Sequence, residues 1–222
     1  MSSLSPADNY RRIQDELPAA VELVVAAKGR APWDVAAVIK AGARMIGQNY
    51  VQEAQKLLAT LGEAAREAEW HMIGHLQRNK AKLIPGRFAL VHSIDSLELA
   101  EELAKRAAAQ GLRQRVLVQV NVAGEEQKSG CTPADAAPLA RRIAALEALA
   151  LEGLMTIAPL TDAPEVQRTT FRGLRQLRDA LQQEGLWVPT LSMGMSGDFA
   201  TAVEEGATAI RLGTALFGAR TT

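Results

Sequence analysis

Short apolar runs alternate with longer helical segments eight times along the chain, and this repeat constrains the fold more than any other feature of the sequence. The runs are rich in Val, Ile and Leu and end at turn residues, which is typical of buried strands. We predict strands at 21–28, 44–47, 70–74, 88–93, 115–122, 151–157, 189–192 and 207–212. The predicted helices lie at 4–17, 32–41, 49–68, 77–84, 96–110, 133–149, 165–184 and 198–205, with a last turn at 215–218.

Eight strand-helix units without a break in composition predict an α/β fold, a single (β/α)8 TIM barrel over residues 1–222. The connections are short enough for right-handed crossovers between parallel strands. The alternative is an open, doubly wound sheet. In a barrel, functional side chains gather at the carboxyl ends of the strands, so the residues after each predicted strand are the candidates.

The composition narrows the possible partners and the compartment. The chain has 222 residues, of which 48% are hydrophobic, and its 25 basic and 25 acidic residues cancel. We therefore expect neither nucleic acid nor an anionic membrane as a partner. Cys131 is the only cysteine, which excludes an internal disulfide and fits the reducing cytoplasm. A polar N-terminus and the lack of an 18-residue apolar run also predict a cytoplasmic protein without a transmembrane helix.

Lys28 ends the first apolar run and is followed directly by Gly29. Desolvation at the rim of a buried strand disfavours a charged ammonium and would make this amine a nucleophile near neutral pH. Such a lysine forms Schiff bases with carbonyl compounds, and pyridoxal 5′-phosphate (PLP) is one of them. The alternative is that Lys28 simply extends to water from a strand end.

Several other polar residues follow the predicted strands. Residues 192–198 are small and glycine-rich, so their amides and the Ser196 hydroxyl are suited to hold a phosphate, and Gly213 and Thr214 offer similar donors one strand later. Arg211 needs a partner, which is either a ligand or the carboxylate of a structural ion pair. His71 and His75 lie on a strand and the turn after it, so their spacing predicts no metal site. The remaining strand-end candidates are Asn49, His75, Asp95, Asn121, Met155 and Thr156.

Eight segments, spread in order over nearly the whole chain, resemble the YggS/PROSC family of pyridoxal phosphate homeostasis proteins. The most specific of them are Leu-Ser-Met-Gly-Met-Ser-Gly-Asp-Phe at 191–199 and Arg-Leu-Gly-Thr-Ala-Leu-Phe-Gly at 211–218. The others lie at 24–28, 46–53, 70–80, 92–96, 119–122 and 153–157.

The resemblance implies a barrel like the N-terminal domain of alanine racemase, with PLP held as a Schiff base on Lys28. It also implies that Arg211 faces the pyridine nitrogen and that Asn49 lines the pocket. The residues implied for the phosphate are Ser196, Gly197, Gly213 and Thr214. The sequence departs from the family at Gln48, where Glu is usual, and beside Lys28, where Ala27 and Gly29 replace Ser and Thr.

The resemblance implies a role in intracellular vitamin B6 homeostasis and amino-acid balance rather than an enzymatic activity. PLP-dependent apo-enzymes are the implied recipients of PLP, and we expect a monomer. An arginine does not readily protonate a pyridine nitrogen, and neither Tyr10 nor Tyr50 matches a racemase tyrosine. Two alternatives stay open: a minor PLP-dependent enzyme such as an amino-acid racemase, and a barrel enzyme whose Schiff-base lysine serves another phosphorylated ligand.

Overall fold

Eight parallel strands form one sheet that closes on itself, because each strand pairs with its neighbour in sequence and the first also pairs with the last. The computed structural model describes residues 4–161 and 163–219. The (β/α)8 prediction is therefore confirmed, and the open sheet is excluded. The strands are β1 (Glu22–Ala26), β2 (Met45–Gln48), β3 (Glu69–Met72), β4 (Leu90–Ile94), β5 (Gln114–Gln119), β6 (Leu149–Met155), β7 (Thr190–Ser192) and β8 (Ala209–Leu212).

Helices connect the strands and cover the outside of the barrel. Proline occupies the first turn of four of them, where its missing N–H costs nothing. No helix in the described part of the chain is long and apolar enough to cross a membrane. The helices are α1 (Pro6–Glu16), α2 (Pro32–Lys40), α3 (Val51–Leu61), α4 (Leu97–Ala108), α5 (Pro133–Ala144), α6 (Pro164–Gln183), α7 (Phe199–Glu204) and α8 (Thr214–Phe217).

Three predicted helices differ from the structure. The helix predicted at 49–68 ends at Leu61, because Gly62 has a φ of 56° and a 3₁₀ segment, Gly62–Glu67, follows it. The segment predicted at 77–84 is also a 3₁₀ helix, Arg78–Leu83. The helix predicted at 133–149 ends at Ala144, since Leu149 is buried and pairs with Gln114 as the first residue of β6.

The alternation of side chains along each strand divides the molecule into an outer core and a barrel interior. Ile210 and Leu212 of β8 pack in the large core that includes the helices. Because successive strand residues point to opposite faces, Arg211 between them points into the barrel. A separate apolar cluster of Leu90, Leu117 and Met155 contacts none of the large core, in keeping with the barrel interior.

Gly153 marks the closest approach between β6 and β7. A Cβ atom at this position would lie 2.0 Å from the backbone oxygen of Thr190, its partner in the register. We expect Gly153→Ala to lower the free energy of unfolding by about 1–3 kcal/mol, because a strand must move to admit the methyl group. Urea denaturation measures the change.

The control for this variant is Gly173→Ala in α6. A Cβ there would meet only a methyl group of the Val122 side chain, at 2.9 Å. The higher helix propensity of alanine offsets part of that contact, so a much smaller loss of stability is expected. Equal losses of unfolding free energy in the two variants would contradict the expectation that β6 and β7 lie too close at Gly153 to admit a methyl group.

Candidate functional site

A cavity of about 300 Å³ opens at the carboxyl end of the barrel, where the chain leaves β1, β2, β7 and β8. The seven residues predicted as a cofactor site all lie on its wall: Lys28, Asn49, Ser196, Gly197, Arg211, Gly213 and Thr214. Met195, within the predicted 192–198 segment, also lines it, and two further lining residues, Ala26 and Arg30, were not predicted. Each is within two positions of a predicted residue, so proximity in sequence was the only signal for them.

Lys28 stands two residues beyond the end of β1 and is half-buried. Its ammonium lies over the ring of Tyr50, with Nζ 5.0 Å from the ring centroid. Gly29 follows with a φ of 65°, and its N–H donates to the carboxylate of Glu53 on α3. The lysine side chain is thus directed to the cavity by an aromatic face and by a loop that α3 holds in place.

Gln48, where the family usually has Glu, is fully buried behind Lys28 rather than on the cavity wall. Its Nε2 donates to the backbone oxygen of Ala27 at 3.4 Å, and its Oε1 has no hydrogen-bond partner. A glutamate at this position would carry a charge without that donor. Gln in place of Glu at position 48 therefore changes the hydrogen bonding behind the Lys28 loop and does not change the residues of the cavity wall.

The loops after β7 and β8 meet at the Ser196 hydroxyl. Its oxygen accepts from the N–H of Gly213 at 3.3 Å and from the N–H of Ala215 at 3.0 Å. Gly213 also passes close to β1, because a Cβ there would lie 3.2 Å from the backbone oxygen of Ala26. Ser196 thus joins the two loops beside a run of small residues, the kind of loop whose backbone amides suit an anion.

Arg211 is 4% exposed and extends from β8 into the barrel beneath the cavity. Its Nη1 donates to the Ser192 hydroxyl at 2.6 Å and its Nη2 to the backbone oxygen of Thr156 at 2.8 Å. Desolvation lowers the pKa of Arg211 to about 10, and the charge of Asp198 opposes that shift, so the guanidinium stays charged at neutral pH. Within the described ranges its hydrogen-bond partners are thus a hydroxyl and a carbonyl, and Asp198 acts on it through its charge.

Two buried histidines that sequence reasoning did not pair lie below Arg211. Nδ1 of His71 is 3.1 Å from Nε2 of His92, and Nδ1 of His92 is 2.9 Å from the Ser192 hydroxyl. Desolvation lowers the pKa of His71 to about 4 and that of His92 well below 6.5. Both imidazoles are therefore neutral at neutral pH.

The other strand-end candidates do not join the cavity wall. His75 lies at the mouth with Nδ1 3.6 Å from the carboxylate of Asp95, far from the buried His71 side chain. Asn121 shapes the next loop, since its amide donates to the backbone oxygens of Glu125 and Lys128. Burial raises the pKa of Cys131 to about 12, which suppresses its thiolate.

The barrel, the lysine after β1 and the backbone donors after β7 and β8 define a class of (β/α)8 proteins in which these groups share the carboxyl-end mouth. The alanine racemase N-terminal domain profile matches residues 5–221. The pyridoxal phosphate homeostasis protein of Aquifex aeolicus is 44% identical over 200 residues, which cover 90% of this chain and 87% of that protein. The chain belongs to the pyridoxal phosphate homeostasis protein family, within the alanine racemase N-terminal domain fold.

Solved structures agree with this assignment. PipY of Synechococcus elongatus PCC7942, whose structure has PLP bound, is 35% identical with a TM-score of 0.90, covering 96% of this chain and all 100% of that chain. An alanine racemase of Clostridium difficile superposes with a TM-score of 0.84 at 17% identity, over 98% of this chain but 57% of its own. The second likeness shows the fold alone.

The two neutral histidines predict how stability depends on pH. Their pKa values are lowered by folding and return to about 6.5 in the unfolded chain, which then binds protons that the folded state does not. Their contribution is present above pH 6.5 and is lost as pH falls towards their folded pKa values. We expect the free energy of unfolding to decrease from about pH 6.5 to about pH 5 in urea titrations.

Two variants assign this dependence to the buried pair. His71→Asn should reduce the slope, because one of the two groups no longer titrates. His75→Gln, which replaces a more exposed histidine outside the buried pair, is the matched control. A free energy of unfolding that is constant over this range would show that the histidines are charged in the folded protein.

Proposed function

We propose that this protein binds PLP in the cavity at the carboxyl end of the barrel, holds it as a Schiff base on Lys28, and serves intracellular PLP homeostasis. One observation carries the proposal. Among the described residues, Lys28 is the only lysine on that cavity wall, and it shares the wall with the Ser196 and Gly213 donors and with the buried charge of Arg211. The names of the relatives and the PLP bound to PipY agree with it.

Lys28 supplies the nucleophile. PLP bound here would supply an aldehyde, which the amine of Lys28 would hold as a Schiff base. Tyr50 presents its ring face to the ammonium, which keeps Nζ at the cavity without a hydrogen bond to a carboxylate.

The loops after β7 and β8 would hold the phosphate of PLP. Ser196 already gathers the amides of Gly213 and Ala215 at one oxygen, and Gly197 and Thr214 line the same wall. A phosphate near these donors accepts several charge-assisted hydrogen bonds. A phosphate fixed here also raises the effective concentration of the aldehyde beside Lys28.

The chemistry of Arg211 favours a protein that carries PLP over an enzyme that converts amino acids. A guanidinium only donates hydrogen bonds, so opposite the pyridine nitrogen it favours the unprotonated ring, a weak electron sink. Tyr10, the other tyrosine considered, donates to the backbone oxygen of Gly42 in the loop before β2, at the opposite end of the barrel. The proposed role is therefore that of a cytoplasmic monomer that passes PLP to PLP-dependent apo-enzymes.

The decisive experiment maps the covalent adduct. The protein is loaded with PLP, reduced with borohydride and digested, and the pyridoxyl group is located by mass spectrometry. We expect the adduct on Lys28, because the other six lysines lie outside this cavity. Lys28→Ala should lose the visible Schiff-base absorbance and keep weak binding through the phosphate.

Lys80→Ala is the matched control, since Lys80 lines a different cavity and should leave the adduct unchanged. An adduct found mainly on another lysine would refute the assignment of Lys28. Measurable racemisation of amino acids by the PLP-loaded protein would instead favour the enzyme alternative.

A second prediction concerns the phosphate donors. Gly213→Asp should weaken PLP binding by at least about 2 kcal/mol, because a carboxylate would repel the phosphate. Its Cβ also meets the backbone oxygen of Ala26 at 3.2 Å. Gly213→Ala shares the steric effect without the charge and should lose less. Equal affinities of the Asp variant and the wild type in PLP titrations would remove this wall from the site.

A further inference from the structure

A single file of hydrogen-bonded side chains runs through the barrel interior, from Arg211 at the cavity to the opposite mouth of the barrel. Its members are Arg211, Ser192, His92 and His71, joined by contacts of 2.6, 2.9 and 3.1 Å. All four are at most 4% exposed. Only Arg211 lies on the cavity wall, while His71 reaches the far end and lines a second cavity there with Glu69 and Arg115.

The guanidinium fixes the direction of every bond in this file. Arg211 can only donate, so the Ser192 oxygen accepts from it. The Ser192 hydrogen then has one remaining partner within the described structure, which is Nδ1 of His92. A neutral imidazole with an acceptor Nδ1 carries its hydrogen on Nε2, and this N–H donates to Nδ1 of His71.

His71 must therefore also be protonated on Nε2. That nitrogen has no hydrogen-bond partner and lies 3.6 Å from the nearer carboxylate oxygen of Glu69, beyond hydrogen-bond distance. Glu69 and Arg115 are the charged groups that face His71, and His71, Arg211 and Arg115 are those that act on His92. The positive charge of Arg211 and the burial of both rings favour this neutral, ordered arrangement.

We propose that His71 and His92 are positioning residues that act through Ser192 to fix the guanidinium of Arg211 against the pyridine ring of bound PLP. This inference rests on the proposed function, because it assigns the role of the file by its effect on PLP. His71, at the far end of the file, is not on the cavity wall and reaches Arg211 through His92 and Ser192.

Removal of the Nδ1 acceptor of His71 would reverse the direction of the hydrogen bonds in the file. Without Nδ1 of His71, the Nε2 hydrogen of His92 is buried and unpaired, which favours the tautomer with the hydrogen on Nδ1. Ser192 would then accept from both His92 and Arg211 and have no acceptor for its own hydrogen. The hydroxyl must move, and Arg211 loses one of its two anchors.

The first measurement needs no PLP. Long-range ¹H–¹⁵N correlation spectra distinguish the two imidazole tautomers, and the chain has only three histidines. At neutral pH we expect His71 and His92 both to carry their hydrogen on Nε2, with assignments from His71→Asn. An Nδ1 hydrogen or a charged ring at either position would overturn the inference.

The second measurement compares two isosteric variants. His71→Asn keeps an acceptor for His92, whereas His71→Leu has the same branched shape and no acceptor. We expect His71→Leu to weaken PLP binding roughly three- to tenfold, the effect of one buried hydrogen bond, and to alter the absorption spectrum of bound PLP. His71→Asn should stay within about twofold of the wild type with an unaltered spectrum.

The outcomes are distinct. Identical affinities and spectra for the Leu variant and the wild type would show that the file does not position Arg211. If the Leu variant does not fold, Ser192→Ala removes the link itself and should show the same spectral change, and an unchanged spectrum there would overturn the inference. A wild type that binds no PLP refutes the proposed function, and the tautomer spectra still decide whether the file is ordered as inferred.

Discussion

The burial of a permanently charged guanidinium inside the barrel is the constraint on which the rest of the site depends. A cation removed from water needs oxygen acceptors at close range, and Arg211 finds a hydroxyl at the end of β7 and a carbonyl just beyond β6. These partners lie beside Arg211 because β6, β7 and β8 pair in succession. Burial keeps the two histidines below it neutral, and the charge of Arg211 adds to that effect at His92.

At the mouth of the barrel, backbone amides and side chains provide different functional groups. Backbone amides of the loops after β7 and β8 provide neutral donors that need no counter-ion, and Ser196 ties these loops together. Lys28, with Nζ over the face of Tyr50, is the amine that we propose as the nucleophile. This division suits a protein that must bind an anionic aldehyde reversibly, because strong donors hold the phosphate while the covalent link can exchange.

The seven candidate residues were predictable because each stands in a short local motif at the end of a predicted strand. A barrel brings all strand ends to one face, so the fold alone places Lys28, Asn49 and Gly213 near one another. The histidine pair was not predicted, because its contact depends on strand pairing and not on a local motif. His71 was weighed against His75, its neighbour in sequence, whereas its partner His92 lies on the next strand and becomes a contact only through the β3–β4 register. The ends of α3 and α5 were also missed, because helix propensity continues past the points where Gly62 and the pairing of Leu149 end the helices.

The sequence by itself determined the eightfold alternation of strand and helix, the strand-end position of Lys28 and the small-residue loops that suit a phosphate, because these depend on periodicity and residue type over a few positions. Only the tertiary structure decided the partners of Arg211, the position of Gln48 behind the cavity, and the order of Ser192, His92 and His71 through the interior. Those contacts join residues that are far apart in the chain. Their distances are fixed by barrel closure and strand register, which no local pattern in the sequence encodes.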